Sequence, residues 1–208
     1  MFIRVHLWFQ VLLLLLLPVI PAAAHLKPVR GHLIDIVGQS DVVIIGVVTQ
    51  PASLSATGRD LTIDVGAVLF GELQEKTLTA QTSARLVAGE RQVIFLKREA
   101  FGYRCVQPSG TRFPATPADD ADYRRTVVAV AAALRLPQDE QVQPLRAALI
   151  PALRAASMPL RYHAALDLTS LTHSGHELTA EERTQIEAVR SAADVDPALR
   201  PILDALLR

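Results

Sequence analysis

The stretch DVVIIGVVTQ, residues 41–50, decides between two folds. It is a run of branched aliphatic residues with one glycine, Gly46, and such a run is typical of a buried strand in a nucleotide-binding sheet or of a wall strand in a small barrel. A dinucleotide site would need a glycine-rich turn and a helix start directly after the strand. We predict instead that TQPASLSATGRD, residues 49–60, is a polar loop without that motif. The sequence therefore favours the barrel, with Gly46 marking a bulge or bend.

Four further segments before residue 107 have the pattern of β-strands. In the clearest, DLTIDVGAVL at 60–69, apolar residues alternate with polar residues or glycine. The other three are KTLTAQT at 76–82, RQVIFLK at 91–97 and FGYRCV at 101–106, with turn-forming residues between them at Gly71, Gly89 and 108–110. A short amphipathic helix is predicted at 28–38, ahead of the first strand. We therefore predict that residues 25–115 form a five-stranded, OB-like antiparallel β-barrel domain.

The second half of the chain has helical periodicity. PATP, residues 114–117, is the predicted linker, and Thr116 with Pro117 begins a helix that runs to about Leu136. The later starts and stops are a turn around Ser157 that divides residues 144–171 into two helices, a capping box of Thr179 and Glu182, and a last helix that begins at Asp196 and Pro197 and ends near Leu207. We predict an α-helical domain over residues 116–208, docked against the barrel, in an α+β fold.

Two parts of the sequence resemble known families. The order SDVVIIGVV, LTIDVGAVLFGEL, LVAGERQVIFL and YRCV, within residues 30–113, resembles the netrin-like OB-fold module of tissue inhibitors of metalloproteinases. The resemblance implies a barrel and, in those inhibitors, a mature N-terminal cysteine that chelates the protease metal, which this chain does not match because its one cysteine is Cys105. LIPALRAASMPLRYHAALDLTSL resembles a HEAT repeat, with Arg161 near the start of its second helix, and DVDPALRPILDALL resembles part of another. Such helix pairs usually bind proteins.

The first 24 residues are predicted to be a signal peptide. Arg4 supplies a positive start, an apolar run follows from Val11 to Ile20, and residues 21–24 end in the small-residue pattern that signal peptidases recognise after Ala24. The alternative is an uncleaved N-terminal anchor, which would be the chain's only attachment to a membrane. We therefore expect a periplasmic or secreted protein.

Charge and cysteine content narrow the classes of function. The 21 basic and 21 acidic residues balance, so no field of one sign is available for nucleic acid or for an anionic membrane. A single cysteine cannot form an internal disulfide, so stability must come from packed cores. Cys105 lies among apolar and aromatic residues, and we expect it to be buried as a small hydrophobic side chain rather than to act as a reactive thiol.

Three groups of residues could carry chemistry. The first is His25, which would become the mature N-terminus and could bind copper through its amine and imidazole if His32 came near. The second is His163 with Asp167, four residues apart on one helical face, where we expect a structural hydrogen bond in preference to a catalytic dyad. The third is His173-Ser174-Gly175-His176-Glu177, which reverses the zinc signature H-E-x-x-H but lies in a predicted loop, so loop polarity accounts for it. We assign no catalytic, cofactor or metal residue from the sequence.

The sequence therefore predicts an exported, non-enzymatic protein-interaction module without a cofactor. A regulator or inhibitor of secreted or periplasmic peptidases is the first alternative, on the resemblance of the barrel. An exported metal-binding protein that uses His25 is the second.

Overall fold

A computed structural model describes residues 32–55, 58–83, 86–108 and 111–208. Helix α1, Leu33–Gly38, precedes five strands, β1 Val42–Ser55, β2 Gly58–Phe70, β3 Thr77–Thr82, β4 Arg91–Glu99 and β5 Gly102–Cys105. A 3₁₀ turn at Pro117–Asp119 opens the helical half, which continues with α2 Asp120–Ala133, a second 3₁₀ turn at Gln138–Glu140, α3 Val142–Ala152, α4 Met158–His173, α5 Ala180–Arg190 and α6 Arg200–Leu206. The predicted α+β class is confirmed. The predicted signal segment lies outside the described residues.

The five strands close into a barrel in the order β1-β2-β3-β5-β4, with β4 returning to β1. This arrangement confirms the predicted barrel and is compatible with an OB-like domain. It corrects one detail, because β3 and β5 run parallel through Ala80 opposite Tyr103 and Gln81 opposite Arg104, whereas the sequence had predicted antiparallel pairing throughout. A pairing between two strands that are not consecutive is not constrained by a hairpin turn, so local patterns could not reveal its direction.

Strand β1 is buried on both of its faces. Val42, Ile44 and Val48 point into the barrel, where they pack with side chains such as Ile63, Ile94 and Cys105. Val43 and Ile45, on the opposite face, pack against the helices. A continuous apolar run in a barrel strand is thus explained by a second layer outside the barrel.

The β1–β2 hairpin is longer than the sequence indicated. The predicted polar loop at 49–60 is wrong, since β1 continues to Ser55 and β2 begins at Gly58. The bend expected at Gly46 is present, because the β1–β2 register shifts between Ile45 and Gly46. A Cβ atom on Gly46 would lie only 2.8 Å from the Asp64 carbonyl oxygen, so the absent side chain permits the close approach of the two strands.

The helical half begins and ends largely where the caps indicate. Ser157 accepts the Leu160 N–H at the start of α4, and Thr179 with Glu182 forms the predicted capping box of α5. The last helix begins at Arg200 and not at Asp196, because Asp196 accepts the Ala198 N–H in a separate turn before the helix.

One hydrophobic cluster joins the outer face of the barrel to the helices. It includes Phe95 of β4, Phe113 of the connection and Tyr123 of α2, with the Phe95 and Phe113 ring centroids 5.1 Å apart. Arg91 of β4 also donates to Asp120 at the start of α2 over 2.6 Å. None of the helices in the described part of the chain combines the length and the apolar character of a membrane span. The two predicted domain boundaries remain predictions, but the packed layer between the two parts is continuous.

Candidate functional site

Asp167 joins the middle of α4 to the start of α1. Its side chain is fully buried, its Oδ2 accepts the Ile34 N–H over 3.0 Å, and its Oδ1 pairs with His32 Nδ1. Since the first N–H groups of a helix have no partner within the helix, Asp167 supplies α1 with a capping acceptor from another element. We name this contact of His32, Ile34 and Asp167 the α1 clasp.

The α1 clasp shifts the titration of both ionisable partners. The hydrogen bond to Asp167 raises the pKa of His32 above its ordinary 6.5, against the opposing effect of burial, and Asp35 adds to the rise. Burial raises the pKa of Asp167, and the hydrogen bonds from His32 and Ile34 offset part of that rise. The folded protein therefore holds protons at this contact more tightly than ordinary His and Asp side chains do.

His163 packs among aromatic rings. Its ring centroid lies 4.6 Å from that of Phe113 and 6.1 Å from that of Tyr162. Asp167 makes its hydrogen bonds at the α1 clasp, to His32 and Ile34, which are more than a hundred residues away in sequence. The sequence placed Asp167 with His163, its neighbour on the helix, because only neighbours on one element can be paired from spacing alone.

The HSGHE segment, residues 173–177, is bound by the buried side chain of an arginine on α3. Arg146 of α3, 1% exposed, donates to the backbone carbonyl of Glu177 over 2.8 Å and to that of His176, and its guanidinium lies 3.3 Å from the Glu182 carboxylate. His173, the last residue of α4, bonds through Nδ1 to the Thr169 carbonyl over 2.7 Å. The contacts of this segment are therefore those of an ordered connection between α4 and α5.

Cys105 lies inside the barrel, and the expectation that it is buried is confirmed. The residue is 3% exposed, and burial raises its pKa to about 12. Because only the thiolate is a strong nucleophile, a thiol with so high a pKa is unreactive near neutral pH.

The described residues contain no group of three or more His, Cys, Asp or Glu side chains placed to hold a metal ion. His25 lies outside these residues, so the copper hypothesis stays a prediction. His32, the second copper ligand in that hypothesis, has its Nδ1 hydrogen-bonded to Asp167.

An exposed aromatic side chain stands at the turn between β4 and β5. Phe101 is fully exposed, the most exposed large hydrophobic side chain in the described part of the chain. Gly102 follows it with a φ of +128°, a backbone conformation that favours glycine and that turns the chain back into β5. The sequence predicted Phe101 as part of a strand. In the structure β5 begins at Gly102, and Phe101 lies at the tip of the β4–β5 hairpin.

A cleft of about 360 Å³ lies beside Phe101 on the wall of the barrel. Its lining combines the aromatic pair Phe101 and Tyr103 with the polar side chains of Asp60, Thr79 and Glu99. Glu99 accepts from Arg104 over 2.5 Å, a surface ion pair of the kind that contributes little to stability. We name this region, from β2 across β3 to the β4–β5 turn, the Phe101 surface.

Sequence reasoning missed both Arg146 and the Phe101 surface. A signal existed for Arg146, since it is a lone cation within the apolar run LRAALI of a predicted helix, and a cation buried with that run would require an acceptor. For Phe101, the following glycine was the only hint of a turn.

This chain matches no protein-family model and no curated protein sequence.

Proposed function

We propose that this protein is an exported, non-enzymatic interaction module whose Phe101 surface docks onto another protein. The observation that carries the proposal is the full exposure of Phe101 on a hairpin tip beside a cleft. Aromatic residues are enriched at the centres of protein interfaces, because one rigid ring excludes much water at a low cost in conformational entropy.

The charges of the Phe101 surface favour a protein over a nucleic acid. In OB-like barrels, the β4–β5 connection is one of the places where ligands bind. Here the lining of the cleft contains the carboxylates of Asp60 and Glu99, with Glu99 paired to Arg104, and among the described residues no lysine or arginine, so it has no excess of positive charge for a phosphate backbone. A partner with an apolar socket for Phe101 and basic or amide groups around it complements this surface.

The experiment is site-specific photo-cross-linking in the native host. A photoreactive amino acid is introduced at position 101 and, as a matched control, at position 128, since Val128 is another exposed hydrophobic residue but lies on α2. We expect one protein to be captured from position 101 alone, and we expect the purified pair to bind with an affinity that Phe101→Ser reduces at least about tenfold. Capture of the same proteins from both positions, or unchanged affinity in Phe101→Ser, would contradict the proposal.

Export is part of the proposal and has its own test. The supporting observation is the pattern of residues 1–24, with a positive start, an apolar run and small residues before His25. Mass spectrometry of the mature protein from the native host should find His25 as its first residue. A chain that retains residues 1–24 in the cytoplasm would contradict export.

Regulation of a secreted or periplasmic peptidase is the second candidate. Its support is the five-stranded barrel, which agrees with the netrin-like resemblance of residues 30–113. The contact of α3 with α4, and Pro151 inside α3, agree with the HEAT-like resemblance. Inhibition or activation of metallopeptidases by the purified mature chain would favour this candidate. The non-enzymatic assignment fails if that chain turns over hydrolase substrates and His163→Ala abolishes the turnover.

A further inference from the structure

A second cleft lies in the helical half, away from the barrel. Its volume is about 270 Å³, and it is bounded by the α3–α4 turn, the end of α5 and the segment that leads to α6. Its floor is apolar, formed by the buried side chains of Leu153, Val189 and Val195. We name it the arginine cleft, because Arg154 and Arg161 stand on its rim.

Both arginines have guanidinium N–H groups without a partner among the described residues. Arg161 uses its Nε to donate to the Ala155 carbonyl, which fixes the side chain along the rim and leaves the two terminal nitrogens without a partner among the described residues. Arg154 has no side-chain hydrogen bond or ion pair in that same set. Asp194 also lines the cleft and pairs with neither arginine within the described residues. The rim thus presents two guanidinium groups and one carboxylate over an apolar floor.

Each feature of the arginine cleft corresponds to one group at the end of a peptide chain. A guanidinium group binds a carboxylate through two parallel, charge-assisted hydrogen bonds, and a second guanidinium beside it adds further positive charge. A single carboxylate such as Asp194 accepts the N–H of a backbone amide. The floor of Leu153 and Val189 takes an apolar side chain. A volume below the roughly 300–1,000 Å³ of ordinary small-molecule pockets admits a terminal residue but not a helix.

We propose that the arginine cleft binds the carboxyl terminus of a partner protein that ends in an apolar residue. The terminal carboxylate lies between Arg154 and Arg161, the last side chain rests on the apolar floor, and the last backbone N–H donates to Asp194. The biological role rests on the interaction function proposed above, but the site is separate from the Phe101 surface. Binding of a peptide to the cleft therefore tests this inference without requiring the partner of Phe101.

The probe is a fluorescent pentapeptide, blocked at its amino end and ending in Ala-Leu with a free carboxylate, titrated with the purified full-length mature chain. Fluorescence anisotropy should show saturable binding, and the same peptide with a carboxyamide end should bind at least about tenfold more weakly. Arg161→Gln and Arg154→Gln should each weaken binding of the acid peptide by a similar factor. The matched control is Arg124→Gln, since Arg124 is exposed on α2 and lies outside the cleft.

Three outcomes would overturn the proposal. The first is an acid peptide that binds no better than its amide, and the second is binding that both arginine substitutions leave unchanged while circular dichroism shows them folded. The third is N-acetyl-leucine competing as well as the pentapeptide at equal concentration, which would make the cleft a site for small carboxylates. Phe101→Ser should leave peptide binding unchanged, so failure here and failure at the Phe101 surface can be told apart.

Discussion

At the residue scale, Arg146 illustrates how one buried cation orders a connection. Its guanidinium binds two backbone carbonyls of the α4–α5 connection and the carboxylate of Glu182, which is itself the reciprocal member of the α5 capping box. The same side chain therefore ties the α4–α5 connection to the first turn of α5. Arg146 is itself 1% exposed, and a buried cation needs acceptors at its own depth, so this position has few acceptable substitutes.

Arg146→Met should lower the free energy of unfolding by about 3 kcal/mol, because it leaves two carbonyls and one carboxylate without their buried donor. The measurement is urea unfolding followed by circular dichroism. Arg154→Met, an exposed arginine just beyond the end of the same helix, is the control and should change stability by less than about 0.5 kcal/mol. Equal effects of the two substitutions would contradict the role given to Arg146.

Gly46→Ala should also destabilise the fold, by about 1–3 kcal/mol, since the new methyl group would meet Ile63 at 2.7 Å and the backbone of Asp64 at 2.8 Å. The comparison is Gly66→Ala on the facing strand, where the nearest atom lies at 3.3 Å. Thermal unfolding of the two variants should rank Gly46→Ala as the less stable. The reverse order would mean that the strands can separate at Gly46 at little cost.

At the element scale, helix α1 is too short to be stable alone and depends on its contacts with α4. Its six residues bury Leu33, Ile36 and Val37, and the α1 clasp supplies its N-terminal acceptor. The attachment of α1 is therefore sensitive to the protonation of His32 and Asp167.

The stability of the protein should decrease as the pH rises above about 6.5. The pKa of His32 is raised above its ordinary 6.5, so over that range the folded state binds more protons than the unfolded state, and the free energy of unfolding falls as His32 loses its proton. Asp167→Asn keeps the shape of the contact but removes its charge. Urea unfolding at about pH 6 and pH 8 should show a loss on the order of 1 kcal/mol in the wild type and a smaller loss in Asp167→Asn. Parallel losses in both proteins would exclude the clasp as the source.

The elements themselves were readable from the sequence wherever the signal was local. Strand β2 and the capping box of α5 each lie within one segment, and both are confirmed. The failures share a different cause. The α1 clasp joins residues that are 135 positions apart, and the parallel β3–β5 pairing depends on how the barrel closes, so neither leaves a pattern in any single stretch. The proposed binding surfaces depend on which side chains are exposed, and only the assembled fold determines that.

At the scale of the whole molecule, the barrel and the helices share one packed layer. Phe95 is fully buried on the outer face of β4, where its ring contacts that of Phe113. Because this layer is continuous with the interior of the helical half, we expect the two parts to unfold together.

Phe95→Ala should lower the free energy of unfolding by about 3–5 kcal/mol through the cavity it leaves. The loss should appear in both parts, so hydrogen exchange measured by mass spectrometry should show peptides from β1 and from α3 losing protection together. Helical peptides that keep wild-type protection in this variant would show instead that the two parts are independent.

The double burial of β1 also has a consequence for how the chain is made. Residues 42–48 are uncharged, contain no proline and consist mainly of β-branched side chains, a composition that promotes intermolecular aggregation when it is exposed. This segment leaves the ribosome before the helices that will cover its outer face. Until α2 and the later helices have been synthesised, the outer face of β1 is an exposed, aggregation-prone apolar surface. Its protection during that time depends on chaperones or on rapid completion of the polypeptide.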